Sequence, residues 1–374
     1  MTTSVVLSSE QDEIRAVARS FLGARFPSER VRELTKSEDG FEQADWTEIA
    51  ELGWAGIALP EERGGAGYTV VERCLLLEEM GRVLFGGPYL SSAVLAADAL
   101  ALAGTGAEAE ELLAAVVAGS TRAALVAAGD LASGADVAGA IAATADGDGH
   151  ALSGDGGLVF DGASAELLLV AAACGNGEVG LFAVDPGAGG VDRKPVATID
   201  ETRRTAVVEF ERAAGRRLDA GATTADTISH VLDRGAVSLA AELVGGARQA
   251  IDMTVAYMHE REQFGGPIGR FQALKHRLAD LHVRIDAARE SVYAAADAIA
   301  AGDRGQVRMA AAAAKHAAAT GYVLSAAEAI QLHGGIGFTE EHDVGLHYKR
   351  ALVGAEALGA PADQLERIAV GLDV

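Results

Sequence analysis

Between Tyr257 and Gln272 the chain reads YMHEREQFGGPIGRFQ, and three side chains there are suited to gripping an anion: the guanidinium of Arg261 and the carboxamides of Gln263 and Gln272. Arginine offers a planar fork of donors that matches the oxygens of a phosphate. Beside Glu260 and Glu262 the same arginine also reads as a solvated helix charge, since surface pairs of that kind contribute only ~0–1 kcal/mol. A second segment, Gln331-Leu332-His333-Gly334-Gly335-Ile336-Gly337-Phe338, follows an alanine-rich run and opens into glycines that let a backbone approach a ligand closely. A helix C-cap and turn would need the same residues. His276, His282 and His316 show no HExxH spacing, and Cys74 and Cys174, the only cysteines, lack a CxxC pair, so no metal site is expected and both thiols are expected in the core.

The elements that carry these residues follow from periodicity. Tyr257 to Phe264 continues the apolar period of a helix beginning near Thr227, and Gly265-Gly266-Pro267 interrupts it. Phe271, Leu274, Leu278, Leu281 and Ile285 then recur at three- and four-residue spacing, which predicts a second helix, and Arg261, Gln263 and Gln272 flank the bend between the two. The alanine-rich stretch from Val292 to Ala319, broken at Gly302-Asp303, extends the helical pattern, and a four-helix bundle over 221–374 is the natural way to bury such faces. The same faces could also bury against another subunit. Residues 121–220 change character. Short apolar runs, Ala165 to Cys174 and Val179 to Val184, are separated by Asn176-Gly177, and further turn signals at Asp146 to Gly149 and Gly154 to Gly157 predict a compact β domain. Residues 1–120 read as helices: Ser8 and Gln11 stand in capping-box spacing before a stripe of Ile14, Val17, Ala18, Phe21 and Leu22, and another helix runs from about Val70 to Val83. The loop Gly64-Gly65-Ala66-Gly67 is not a dinucleotide fingerprint, because no buried-strand pattern precedes it. The fold class expected is therefore mainly α with a central β domain.

A chain of 374 residues, 49% of them apolar, has enough sequence for two or three packed units. Abundant alanine and few aromatics favour closely packed helices. A formal charge of −23 argues against nucleic acid as a partner, so any attraction for an anionic ligand has to be local. No apolar segment reaches the ~18–20 residues that a bilayer span needs, and the N-terminus shows no signal-peptide pattern, which predicts a soluble cytoplasmic protein.

Taken together and in order, LSSEQDEIRAVARSFL, ELGWAGIALPEERGGAGY, LLLEEMGR, YMHEREQFGGPIGRFQALKHRLADL and AIQLHGGIGFTEEHDVGLHYKRA resemble the acyl-CoA dehydrogenase family over nearly the whole chain. The resemblance implies an N-terminal helical domain, a small middle β-barrel and a C-terminal four-helix bundle. It also implies FAD as cofactor, an acyl-CoA thioester as substrate, and an electron acceptor such as an electron-transfer flavoprotein. By the same resemblance Arg261, Gln263, Phe264, Gln272, Gln331, Gly334 and Gly335 hold the pyrophosphate and adenosine part of a flavin that lies across a subunit interface, in a homo- or heterotetramer built as a dimer of dimers. One flavin-facing motif is poorly matched. Where many relatives carry a Thr-Glu-Pro-rich strand, this chain has Leu125-Val126-Ala127-Ala128-Gly129-Asp130, which lacks hydroxyls that could meet a flavin ring.

Removing two hydrogens across an α,β bond needs a base for the α proton. In the family that base is a glutamate at one of two positions, which fall here on Gly235 and, counting from Phe338 without gaps, on Leu358. Glu242 is seven residues past Gly235, about 10 Å along a helix, whereas a base must come within roughly 3 Å of its proton. A packing or interface role suits it better. Glu356 is two residues from Leu358, and continued helix would turn it by about 200° onto another face; a small gap in the alignment would restore it. Some actinobacterial family members acting on bulky steroid side-chain CoA thioesters work as paired unlike subunits, one bearing the glutamate and the other completing the FAD pocket, and this chain resembles the partner without the base. The alternatives are a homomeric enzyme using Glu356 and a non-enzymatic CoA-binding or scaffold protein.

Overall fold

The computed structural model describes residues 7–127, 138–147, 149–175, 177–221 and 223–373. The first helical unit comprises α1 (Ser9–Arg25), α2 (Ser28–Leu34), α3 (Gln43–Glu51), α4 (Val70–Arg82), α5 (Ala97–Leu102) and α6 (Gly106–Val117). The Ser8 hydroxyl accepts from the Gln11 amide at 3.1 Å and the Gln11 side chain accepts from the Ser8 amide at 3.0 Å, the reciprocal cap expected at the start of α1. Ala18 and Leu22 are buried on its inner face, but Val17 is 49% exposed, so the stripe is narrower than its apolar residues suggested. Thr69 and Glu72 cap α4 in the same way.

Among the described residues seven strands follow: β1 (Ala123–Val126), β2 (Ala142–Asp146), β3 (Gly149–Phe160), β4 (Leu167–Gly175), β5 (Glu178–Val184), β6 (Val191–Val196) and β7 (Thr205–Arg217). Pairing runs from β4 through β5, β7, β3 and β2 and returns to β4 by Ala142 opposite Ala173, so the sheet closes into a small barrel, with β1 parallel to β4 and β6 added to β7. The apolar run in β4 is buried on both faces. Leu168 and Val170 enter the barrel with Phe182 and Val208, while Leu167 and Leu169 pack outward against Leu100, Leu113 and Val231. Strand alternation allows one segment to serve both cores. The expected β4–β5 hairpin forms, with Leu168 opposite Val184; Asn176 in its turn, Asp148 in the turn before β3, and Ala128 to Asp130 lie outside the described residues. Cys74 is fully buried, which pushes its thiol up to about 12, whereas Cys174 is only half-buried at the barrel's edge rather than in a core.

The chain ends in α7 (Thr224–Glu260), α8 (Gln272–Ala300), α9 (Arg304–His333), α10 (Val344–Glu356) and α11 (Pro361–Gly371). Helices α7 to α10 form the bundle, α11 lies on α9, and α4 packs against α7 so that one core joins the two helical units. The α4–α7 crossing is close because it is glycine on glycine: a Cβ at Gly81 would stand 1.9 Å from Glu242 O, and one at Gly245 would stand 1.8 Å from Glu78 O. Buried ion pairs stitch the same junctions. Asp98 of α5 takes Arg73 of α4 and Arg234 of α7, which hold its carboxyl well below the usual range despite complete burial. Arg350 of α10 reaches Asp200 and Glu242, both at 2.7 Å.

Candidate functional site

Helix α7 stops at Glu260, four residues sooner than the apolar period suggested. From there the backbone makes a short hairpin: Ile268 N donates to Arg261 O at 2.8 Å, Glu262 bridges Pro267, and Gln263 and Gly266 exchange amide hydrogen bonds at 2.9 and 3.3 Å. Phe264 and Gly265 at its tip have φ of 54° and 86°. Two consecutive left-handed residues are what a type I′ hairpin turn requires, and this competing local structure ends the helix early. Arg270 donates to the carbonyls of Phe264 and Gly265 and fixes the tip. The ring of Phe264 is 86% exposed, with an edge-to-face contact to Phe271 on one side.

The glycine-rich segment lies at the same end of the bundle. Tyr257, in the last turn of α7, stacks on His333, in the last turn of α9, with ring centroids 4.5 Å apart, and His342 covers His333 at 4.3 Å. His333 Nδ1 is 2.7 Å from Ala329 O, its Nε2 is buried without a partner among the described residues, and burial lowers its pKa. Gly334 caps α9 with φ of 64°, a conformation that favours glycine, and its amide returns to Gln331 O. The structure thus brings together the two segments singled out from sequence. Arg261, Gln263, Phe264, Gln272, Gln331, Gly334 and Gly335 are all exposed, and the Arg261 guanidinium has no partner among the described residues. Further cations, Arg270, Lys275 and Arg284, are exposed on the same stretch, a local concentration of positive charge in an acidic chain, and His276 is exposed there too. His282 is exposed beside Asp286, and His316 bonds Pro361 O.

A separate cavity of about 610 Å³ lies where the barrel meets α7, α10 and the helical segment Tyr89–Ala96. None of those seven residues lines it. Its wall is largely aliphatic and includes Leu95, Leu125, Leu158 and Leu352. Leu125 and Ala127 bring to it the strand that lacks flavin-facing hydroxyls. The two expected base positions are neighbours beside it: Leu358 lines the cavity, and a Cβ at Gly235 would stand 3.3 Å from Leu358 Cδ1 and 2.5 Å from Leu95 Cδ2. Leu95 fills the space that a side chain at 235 would need. Both carboxylate oxygens of Glu242 are engaged, one by Arg350 at 2.7 Å and the other by Arg203 at 2.6 Å.

Glu356 departs from the helical-wheel expectation. Helix α10 ends on it, Ala357 is extended, and Leu358 and Gly359 turn left-handed at φ of 54° and 96°, so Glu356 and Leu358 line the same cavity. Lys315 secures that turn. It is wholly buried on α9, its Nζ donates to Ala355 O at 2.9 Å and Gly359 O at 3.4 Å, and burial pulls its pKa down to about 8. Neither Lys315 nor Leu95 carried any motif; only the fold reveals what they touch. Among the described residues, no group of three or more His, Cys, Asp or Glu could hold a metal ion, and no helix is long and apolar enough to cross a membrane.

Comparison with known proteins accords with this architecture. The model for the acyl-CoA dehydrogenase N-terminal domain matches residues 8–120 and that for the C-terminal domain matches residues 225–372. The acyl-CoA dehydrogenase IpdE2 of Mycobacterium tuberculosis is 32% identical over 360 residues, 96% of each chain. Among solved structures, a chain of the Tcur3481–Tcur3483 steroid acyl-CoA dehydrogenase superimposes with a TM-score of 0.88 at 33% identity, covering 97% of this chain and 98% of that one. A chain of the ChsE4–ChsE5 complex from Mycobacterium tuberculosis gives 0.87 at 29% identity over 98% of both. The chain belongs to the acyl-CoA dehydrogenase family, oxidoreductases that act on acyl-CoA.

Proposed function

We propose that this chain is one subunit of a heteromeric FAD-dependent acyl-CoA dehydrogenase, completing the flavin site of a partner that carries the catalytic glutamate. The observation that carries this reading is the division within the chain. The residues suited to gripping an anion are exposed at one end of the bundle, while of the two base positions one is Leu358, which lines the cavity, and the other is Gly235, which packs behind Leu95 and Leu358. An unpaired guanidinium, three exposed carboxamides and an open glycine backbone suit the phosphates and polar edges of FAD. Because all lie on the surface, a second chain is needed to enclose what they hold. Arg261 would pair with the pyrophosphate, with Gln263, Gln272, Gln331 and the Gly334–Gly335 backbone orienting the rest, and Phe264 would cover an apolar surface. Bound FAD supplies the hydride acceptor; α-proton removal falls to the partner's glutamate. The paired names of the two solved relatives, one of them a steroid enzyme, support unlike subunits and a bulky acyl group on the thioester.

Expression of this chain alone, then with the acyl-CoA dehydrogenase-like chain encoded beside it, tests the proposal. Flavin and turnover are expected only in the pair. In that pair Arg261→Ala should weaken flavin retention roughly 10- to 100-fold, the ~1.5–3 kcal/mol of a hydrogen bond to a charged group. Full flavin loading and acyl-CoA oxidation by the single chain would reject the paired reading. Glu356 supports one alternative, a homomeric enzyme with that residue as base, since it shares the cavity with Leu358. Loss of turnover in Glu356→Gln with flavin retained would favour it.

A further inference from the structure

A second cavity, of about 310 Å³, lies where α1 and α2 meet the end of α4, the second half of α7 and the start of α10. Phe26, Val31, Met253 and Leu346 give it apolar walls, and His347 and Arg82 interrupt them. His347 is 2% exposed, yet only its Nδ1 has a partner among the described residues, the Tyr322 hydroxyl at 2.7 Å. That buried hydroxyl has no other acceptor there, so its proton lies toward Nδ1 and the ring is held as the Nε2–H tautomer. Burial pulls the ring's pKa down to about 3, which keeps it neutral. Unlike the Nε2 of His333, that of His347 is not sealed in protein, and its N–H is a donor at the cavity wall. Arg82 is the second donor. Its side chain is only 18% exposed, it gives one N–H to the exposed Asp252 at 2.8 Å, and its Nε is 3.8 Å from Glu79. Arg19 already takes both oxygens of Glu79, at 2.7 and 2.9 Å, and Arg32 takes Asp343, the other carboxylate on the wall. Most of the Arg82 fork is therefore uncommitted, and its charge is close enough to depress the His347 ring.

The geometry points to a binding site for a small carboxylate with a compact apolar body, its oxygens on His347 and Arg82 and its body against Phe26, Val31 and Leu346. Both polar groups that are free to meet a ligand are donors, so the ligand must bring acceptors. A carboxylate accepts on two oxygens and need not draw the two donors to one atom, and a guanidinium fork matches it. An amide or ketone of the same shape offers a single acceptor oxygen, and an ammonium offers none. Small-molecule sites span roughly 300–1,000 Å³ and combine apolar walls with few polar groups, and this volume, at the lower end, admits one ring and excludes an acyl-CoA. The site shares no lining residue with the larger cavity and none with the bend and glycine loop, so it does not rest on the paired reading.

The chain has five methionines, of which Met253 lines this cavity and Met258 stands beside the bend. Titration of the intact, methyl-labelled chain with benzoate, followed by NMR, tests the site without reading flavin or turnover. Benzoate should shift the Met253 methyl resonance, identified by its loss in Met253→Leu, to saturation and leave that of Met258 in place. Benzamide, the neutral counterpart, should bind about tenfold more weakly, equivalent to ~1.4 kcal/mol. Arg82→Met should weaken benzoate by a similar factor and benzamide less. A Met253 resonance that benzoate does not move, a shift at Met258 instead, or equal affinity for benzoate and benzamide overturns the inference, and that comparison is made on the unaltered chain. Unchanged benzoate affinity in Arg82→Met, with the other methyl resonances in place, overturns it as well.

Discussion

Asp161 and Glu242 show how differently a fold can treat two buried carboxyls. Glu242 has both oxygens engaged by guanidinium groups, so removing it would leave Arg203 and Arg350 charged and buried, a change that typically costs about 3–5 kcal/mol. Asp161 has one hydroxyl partner and burial pushes its carboxyl up to about 6. Between about pH 4 and pH 6 the native chain therefore holds a proton that the unfolded chain has released, and stability falls as pH rises through that window. Above pH 6 both states are ionised and the dependence from this group ends. Asp161→Asn cannot titrate, so its unfolding free energy relative to the parent should rise by about 1.4 kcal/mol per pH unit across the window, approaching ~3 kcal/mol. Urea melts at pH 4, 5, 6 and 7.5 measure this, and a difference that stays constant with pH would show that Asp161 ionises as an exposed aspartate does.

At the scale of elements, the α4–α7 crossing is set by absence of side chains. Alanine is better than glycine in a helix by about 1 kcal/mol, so Gly245→Ala would stabilise α7 if the helix stood alone. In the fold the new methyl would meet Glu78 O at 1.8 Å, and overpacking of this kind costs about 1–3 kcal/mol, occasionally more. We expect net destabilisation, seen as a lower denaturation midpoint; an unchanged or higher midpoint would mean that the helices part at no cost. Such crossings were not legible in the sequence, because a glycine in a helix period looks the same whether it meets solvent or backbone. The helices and hairpins were legible, since capping residues, apolar spacing and turn residues act locally. Helix ends were less so: at Arg261 a type I′ turn competes with the apolar period, and at Glu356 a left-handed turn held by the distant Lys315 overrides rotation about the helix.

Across the whole molecule, the bend and the glycine loop are each short continuous segments that sequence can single out, and the stack of Tyr257 on His333 joins them. The larger cavity could not be found that way, since Leu95, Leu125, Leu352 and Leu358 meet only through the barrel and bundle together. Charge acts at this scale too. Each copy carries a formal −23, so every added copy of the same chain increases repulsion over the assembly, most strongly when salt is scarce. The Debye length falls from about 10 Å at 0.1 M ionic strength to 3 Å at 1 M, which screens exposed charges but leaves apolar contacts such as those available to Phe264 and Phe338 in place. Self-association of this chain should therefore tighten several-fold between about 0.05 and 0.5 M salt, by sedimentation velocity at fixed concentration. A partner of lower net charge would relieve the same repulsion, so a mixed complex should persist at low salt where the single chain dissociates. If self-association weakens as salt rises, attraction between opposite charges dominates the interface, and acidity would no longer favour an unlike partner.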